Sequence, residues 1–314
     1  SMMKTVLIFG YSGFVGGYLS RELLDHGYSV VGSDIVDNTL GRNQNVKFIK
    51  ADLLNYEAIK DIIQNNQPDY IVNLAAISSV GMSWSIPQKT ININVNGTLN
   101  ILEAVRELEM NPKILLVGSS EEYDIYDKKI NENSDINANN PYGISKVTQE
   151  HFSELYRQEY GMNIVNTRTF NHTGFGQPEK FAIPNFVKQV ADIHKSGKPG
   201  SIYVGNLSAK RDLGDVRDMV CAYRMLLEND TKSKVFNVGS GSCYMMGDIL
   251  KYIVSLTNQH IDIIVDPDKL RPVDNPIIWC DNSRIQQEIG WKPQYTVKDA
   301  INDMFTCYIK NGKV

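Results

Sequence analysis

The segment Gly10-Tyr11-Ser12-Gly13-Phe14-Val15-Gly16 constrains this chain more than any other stretch. It follows the apolar run Thr5–Phe9 and opens a helical pattern over Val15–His26. A short apolar strand, a glycine loop and a helix are the opening of a βαβ unit. Glycines at that point let the backbone approach a pyrophosphate, and the helix N-terminus adds amide donors and a positive dipole end. The spacing is G-x-x-G-x-x-G, not G-x-G-x-x-G. A glycine pattern alone also fits an ordinary tight turn; the strand before it and the helix after it select the dinucleotide reading.

The same rhythm continues. Further candidate strands are Ser29–Ser33, Lys47–Lys50, Tyr70–Leu74, Lys113–Val117 and Asn163–Arg168, with helical patterns at Ile59–Gln64, Thr98–Leu108 and Ser145–Tyr160. Continuous apolar strands separated by helices predict an α/β fold, a doubly wound parallel Rossmann sheet covered on both faces. Beyond about residue 170 the prolines thicken (Pro178, Pro184, Pro199, Pro267, Pro272, Pro276, Pro293), which predicts a smaller α/β substrate-binding C-terminal domain. The buried-looking run Lys234–Val238 returns the chain to the main sheet. The expected division is 1–170 plus about 214–240 for the dinucleotide, and 171–213 plus 241–314 for the substrate. Asn131–Asn140 reads as a polar surface loop.

Composition narrows the function. With 314 residues, 42% hydrophobic and a net charge of −4, the chain is an ordinary globular one and carries no basic excess for nucleic acid. No apolar run approaches the roughly 20 residues of a membrane span. Val6–Phe9 is too short for a signal peptide. Cys221, Cys243, Cys280 and Cys307 have no metal-ligand spacing, so no metal is expected. The expected location is cytoplasmic.

Asp34, about 18 residues after Gly16, ends the second strand. A carboxylate there accepts hydrogen bonds from the adenosine ribose hydroxyls and repels a 2′-phosphate. No arginine lies close beside it, Arg42 being the next in sequence, so NAD is the expected cofactor and NADP the alternative. Asp52, in Ala51-Asp52-Leu53, either caps the next helix or meets the adenine amine. Tyr142 and Lys146, four residues apart, share one face of a helix. An ammonium near a phenol is expected to lower its pKa, so that the tyrosine can pass a proton to or from an alcohol oxygen. The turn Gly118-Ser119-Ser120-Glu121-Glu122-Tyr123 follows a strand and lies at the ligand edge of the sheet. A serine there can bond the same oxygen as Tyr142.

Together, the glycine loop, the serine turn and Tyr-x-x-x-Lys resemble the extended short-chain dehydrogenase/reductases over nearly the whole chain. Asn73-Leu74-Ala75-Ala76 and Asn94-Val95-Asn96-Gly97-Thr98 are similar to that family too. The likeness implies that Leu74, Ala75 and Ala76 line the cofactor cleft and that Asn94 supports it. Within the family, the chain is most similar to the nucleotide-sugar branch acting on GDP-6-deoxy-hexoses. The carriers are Ser119–Tyr123, Arg168-Thr169-Phe170-Asn171-His172-Thr173-Gly174, Gly205–Asp212 and Leu270-Arg271-Pro272-Val273-Asp274-Asn275-Pro276. Asp124 departs from the family's usual glycine.

The resemblance implies Ser119 as the catalytic hydroxyl. It places Ser120 and Glu121 where dehydratases carry an extra acid/base pair, and Ser78 against the substrate. Guanidinium forks match phosphate oxygens, and the likeness assigns Arg211 and Arg271 to a diphosphate. Asp274 is assigned to the guanosine ribose and Asn171 to a phosphate or sugar oxygen. Lys188 meets the guanine carbonyl or is simply a solvated helix lysine, and His172 is a supporting residue rather than an acid. The expected reaction is reduction of the C4 ketone of a GDP-4-keto-6-deoxy-hexose, with 4,6-dehydration of GDP-mannose and C4 epimerisation as alternatives. A cofactor sensor without turnover is disfavoured by the intact Ser119, Tyr142 and Lys146. Thr98–Leu108 and the Tyr142 helix are expected to pair two subunits into a homodimer.

Overall fold

The computed structural model describes residues 3–37, 43–124, 128–270 and 275–310. Strands β1 (Thr5–Phe9), β2 (Ser29–Asp34), β3 (Val46–Lys50), β4 (Tyr70–Asn73), β5 (Lys113–Ser119) and β6 (Ile164–Thr169) join Val235–Val238 in a seven-stranded sheet. The order is Val235–Val238, β6, β5, β4, β1, β2, β3, and every pairing is parallel. This is the Rossmann order, with its crevice between β1 and β4, where the chain changes direction across the sheet.

Side chains alternate along a strand, so a sheet covered on both faces needs apolar residues at every position. In β1, Val6 and Ile8 enter a core with Leu19, Leu23 and Met219. Leu7 and Phe9 enter the opposite core with Ile59, Ile63 and Ile101. Strand β5 runs two residues beyond the predicted Val117, because Gly118 and Ser119 pair with Arg168 and Thr169 of β6.

Helix α1 (Phe14–Asp25) begins at Gly13, which supplies no side-chain cap. Gly10 has φ +80° and lies so close to the next crossover that a Cβ would sit 2.5 Å from the Ala75 nitrogen. Only glycine fits there.

The C-terminal region builds a three-stranded sheet from Cys243–Met245, Lys210–Asp212 and Ile277–Ile278, and a two-stranded one from Gly200–Val204 and Ile261–Val265. Helices Ala182–Ser196, Met246–Val254 and Val297–Ile309 enclose a core of Phe186, Val190, Ile202, Ile249 and Met304. Ile285 and Trp291, from the stretch grouped with this region in sequence, instead pack with Phe236 in the core of the Rossmann sheet.

The loop Asn131–Asn140 is not wholly at the surface. Asn140 is buried and caps helix Pro141–Tyr160 by accepting the Gly143 N–H at 2.9 Å. Among the described residues, no helix is long and apolar enough to cross a membrane.

Candidate active site

A cleft of about 1250 Å³ runs along the carboxyl ends of the strands. One wall comes from the loops after β1 to β4: Gly10, Gly13, Phe14, Val15, Gly16, Asp34, Asp52, Leu53, Leu74, Ala75 and Ala76. The middle carries Ser78, Ser119, Glu121, Tyr142 and Lys146, and the far wall carries Asn171 and Arg211. Ser12, Asn94, Ser120 and Lys188 do not line it. Arg271 and Asp274 lie outside the described residues.

The first wall suits a dinucleotide. The opening N–H groups of α1 have no side-chain acceptor, and Gly13 puts no side chain before them. Uncapped donors at a helix N-terminus favour an anion. The Asp34 carboxylate is held in place by the Ser12 N–H at 3.0 Å and the Ile35 N–H at 2.7 Å. Ser12 thus acts from behind, its hydroxyl donating to the Val36 carbonyl at 2.6 Å. Asp52 accepts the Leu54 N–H at 2.9 Å, whereas the cap of the following helix is Asn55. Of the two expectations for Asp52, helix capping is therefore excluded. Asn94 is fully buried. Its amide accepts the Ile77 N–H at 2.9 Å and donates to Ser145 Oγ at 2.9 Å, bracketing the loop after β4 to the Tyr142 helix.

Three elements bring the central group together. Ser119 ends β5 and its hydroxyl accepts the Glu121 N–H at 3.0 Å. The same hydroxyl lies near enough to the Tyr142 phenol to favour its ionised form. Lys146, one helical turn beyond Tyr142, donates to the Val117 carbonyl at 2.9 Å, with Nζ 5.9 Å from the Tyr142 ring centre. Burial pushes the Lys146 ammonium down to about 8, against the pull of Glu122.

The expectation of a lowered tyrosine pKa does not hold in this state. Desolvation raises the phenol of Tyr142 above its ordinary value, Ser119 opposes this, and Glu122 and Glu121 add to it. One donor of the ammonium goes to the Val117 carbonyl. At neutral pH Tyr142 therefore holds its proton.

Glu121 accepts Asn140 Nδ2 at 3.0 Å and Asn275 Nδ2 at 3.4 Å. Ser120 is buried in the turn Ser120–Glu122. His172 lines the cleft with its ring stacked on Phe14, 6.4 Å between centres. Its Nδ1 bonds the Phe170 carbonyl at 3.0 Å and burial lowers its pKa, so the ring is neutral.

Arg211 is buried in the far wall, and its Nη1 donates to the Lys210 carbonyl at 2.8 Å. Asp212 beside it accepts Ser240 Oγ at 2.7 Å and the Cys280 N–H at 3.1 Å, fixing the strand; burial pushes its carboxyl up to about 6. Lys188 pairs with Asp192 at 3.0 Å, as a surface helix lysine does. Lys269, unlike Lys188, does line the cleft on this side, donating to the Tyr203 carbonyl at 2.8 Å. No spacing rule distinguishes the two. Asn140 had a legible signal, since it directly precedes Pro141 at a helix start.

A Rossmann sheet whose crevice holds this glycine loop and a Ser119–Tyr142–Lys146 group defines an enzyme of the extended short-chain dehydrogenase/reductase type. The model of the GDP-mannose 4,6 dehydratase family matches residues 7–304, and the chain belongs to that family. It is 27% identical to the GDP-6-deoxy-D-mannose reductase of Pseudomonas aeruginosa over 303 aligned positions, covering 96% of this chain and 95% of that one. It is 28% identical to a GDP-mannose 4,6-dehydratase of Vibrio cholerae over 348 positions, covering 96% and 93%. The solved structure of RMD from Pseudomonas aeruginosa complexed with NADPH is similar at a TM-score of 0.84, with 24% identity over 98% of this chain and 100% of that chain.

Proposed function

We propose that this protein reduces the C4 ketone of a GDP-4-keto-6-deoxy-hexose, the GDP-rhamnose-forming type of reaction. The cofactor is of the NAD(P) type, and Asp34 selects NAD. When bound, the reduced nicotinamide supplies a hydride. The chain does the rest. The glycine loop and α1 hold the pyrophosphate, with Asp52, Leu53 and Leu74 to Ala76 lining the adenosine side. Ser119 orients the ketone, and Tyr142 holds the proton that the new alkoxide takes. Arg211, with Arg271, grips the diphosphate; Asp274 takes the guanosine ribose, and Ser78 and Asn171 take sugar or phosphate oxygens. In this reading the substrate is held by 171–213 and 241–314, and the cofactor by the rest.

The observation that carries the reading is the grouping of Ser119, Tyr142 and Lys146 in one cleft, where Tyr142 can hand a proton to a substrate oxygen. Reduction needs a proton donor at that point, whereas dehydration and epimerisation begin by removing a proton from the sugar hydroxyl. Alignment length supports it as well. The same 96% of this chain spreads over 303 positions against the reductase and 348 against the dehydratase.

One observation favours the dehydratase. Glu121 lines the cleft, where it can serve as a base at C5. Incubation with GDP-mannose and NAD⁺ or NADP⁺ separates the two: a 4-keto product overturns the reductase reading. With the 4-keto-6-deoxy sugar nucleotide, loss of absorbance from NADH or NADPH supports it, and no loss with either refutes it. A homodimer through Gly97–Glu107 and Pro141–Tyr160 is part of the same proposal, since Ile144, Leu155 and Tyr160 stand 47–49% exposed. Sedimentation at the monomer mass would refute it.

A further inference from the structure

Glu122 is used by none of the steps above, yet it is fully buried directly behind the Ser119 turn. Its Oε2 accepts the Ser119 N–H at 2.8 Å. Gly118 is pressed against it, and a Cβ there would lie 2.4 Å from Oε2. Its other oxygen, Oε1, is buried without a hydrogen-bond donor.

Two cations lie beside Glu122, and neither is directed at it. Arg168 Nε is 3.9 Å from Oε1. That guanidinium sends Nε and Nη2 to Glu150 at 2.9 and 2.6 Å, and Nη1 to the Tyr123 hydroxyl at 3.0 Å and the Glu132 carbonyl at 3.1 Å. Lys146 points at Val117. A carboxylate at Glu122 would be a second buried negative charge on a cation already paired with Glu150, which is a costly arrangement. A carboxylic acid changes the balance, because its O–H is a donor. The Glu150 carboxylate sits on the same Arg168 guanidinium as the acceptor offered to it, and burial together with Glu150 raises Glu122 well above the carboxylate range.

Position matters as much as charge. Tyr142, Lys146 and Glu150 are spaced at i, i+4 and i+8 on helix Pro141–Tyr160 and so share one face. We propose that Glu122 is a positioning residue working as a neutral acid: Oε1–H donates to Glu150 while Oε2 accepts the Ser119 N–H. One proton then ties the Ser119 turn to the helix that carries Tyr142 and Lys146. It also removes a fixed negative charge from beneath them. The groups facing Glu122 are Glu150, Lys146 and Tyr142 from that helix, Arg168 from β6, and Ser119 and Tyr123 from either side of its own turn. The inference rests on Ser119, Tyr142 and Lys146 being the reacting group.

The test compares Glu122→Gln with Glu122→Val. A glutamine amide can donate to Glu150 and accept from Ser119, so Glu122→Gln should keep kcat within about twofold, with an unchanged pH–kcat profile. Glu122→Val loses both bonds, and kcat should fall about tenfold or more with little change in cofactor KM. Infrared spectra of the ligand-free protein near neutral pH should show a carboxylic-acid C=O band that Glu122→Gln lacks. No such band, or a Glu122→Gln protein with kcat down tenfold and a shifted pH profile, overturns the inference. If Glu122→Val fails to fold, the glutamine variant and the spectrum still decide. Tyr142→Phe is run alongside: full turnover there sinks the functional reading, while the infrared result still judges Glu122 alone.

Discussion

Lys146 offers a measurement that needs no substrate. Its ammonium is 3% exposed and pushed from the usual 10.5 down to about 8. Below pH 8 the lysine is charged in both the folded and the unfolded chain, and the fold bears the cost of burying it. That cost, from the difference between the two values, is about 3 kcal/mol. Between about pH 8 and 10.5 the unfolded chain keeps the proton and the folded protein has released it, so the contribution to stability rises with pH. Above that window the cost is gone. Lys146→Met keeps the length of the side chain and removes the charge. Urea unfolding of both proteins, from about pH 7 to 11, gives a stability gap at each pH in which the other titrating groups cancel. The gap should move in favour of the wild type by about 3 kcal/mol across the window. A gap that stays constant refutes the reasoning. It would mean that a carboxylate holds the ammonium charged, with Glu122 the one in place to do it.

Tyr142→Phe should lower turnover about 10²- to 10⁴-fold, the range for a lost general acid, while dinucleotide binding measured by fluorescence titration stays as it was. Asp34→Ala removes the charge that repels a 2′-phosphate and should shift kcat/KM towards NADPH; a wild type that already prefers NADPH contradicts the cofactor assignment. Gly10→Ala forces a side chain into a left-handed conformation against the Ala75 backbone. It should cost about 2 kcal/mol or more, read as a lower Tm and loss of dinucleotide binding.

Most of the sheet was legible because burial on both faces leaves a continuous apolar signature, as in β1 and Val235–Val238. The strand ends were less so, since Gly118 and Ser119 are strand only by pairing with Arg168 and Thr169. The small sheets were not legible at all: Lys-Arg-Asp at 210–212 becomes a strand through partners about 30 and 70 residues away. In the site, residues singled out by local spacing, including glycines of the loop, Asp34, Tyr142 and Lys146, do line the cleft. Missed were effects that depend on distance in space. The desolvation of Tyr142 is one, and the Glu122–Arg168–Glu150 arrangement, drawn from β6, a helix and a turn, is another. Lys188 and Lys269 illustrate the same limit, because only the fold decides which lysine faces the cleft.

The outermost strand of the sheet is supplied late. Val235–Val238 covers the flank of β6, which ends at Thr169. While the ribosome makes the intervening stretch, β6 is an open edge with unpaired backbone groups, a template for pairing with another chain. At bacterial-to-eukaryotic elongation speeds that interval lasts roughly 3–13 s. Newly made chains thus pass through a sticky stage, and a fragment cut near residue 170 would remain in it permanently.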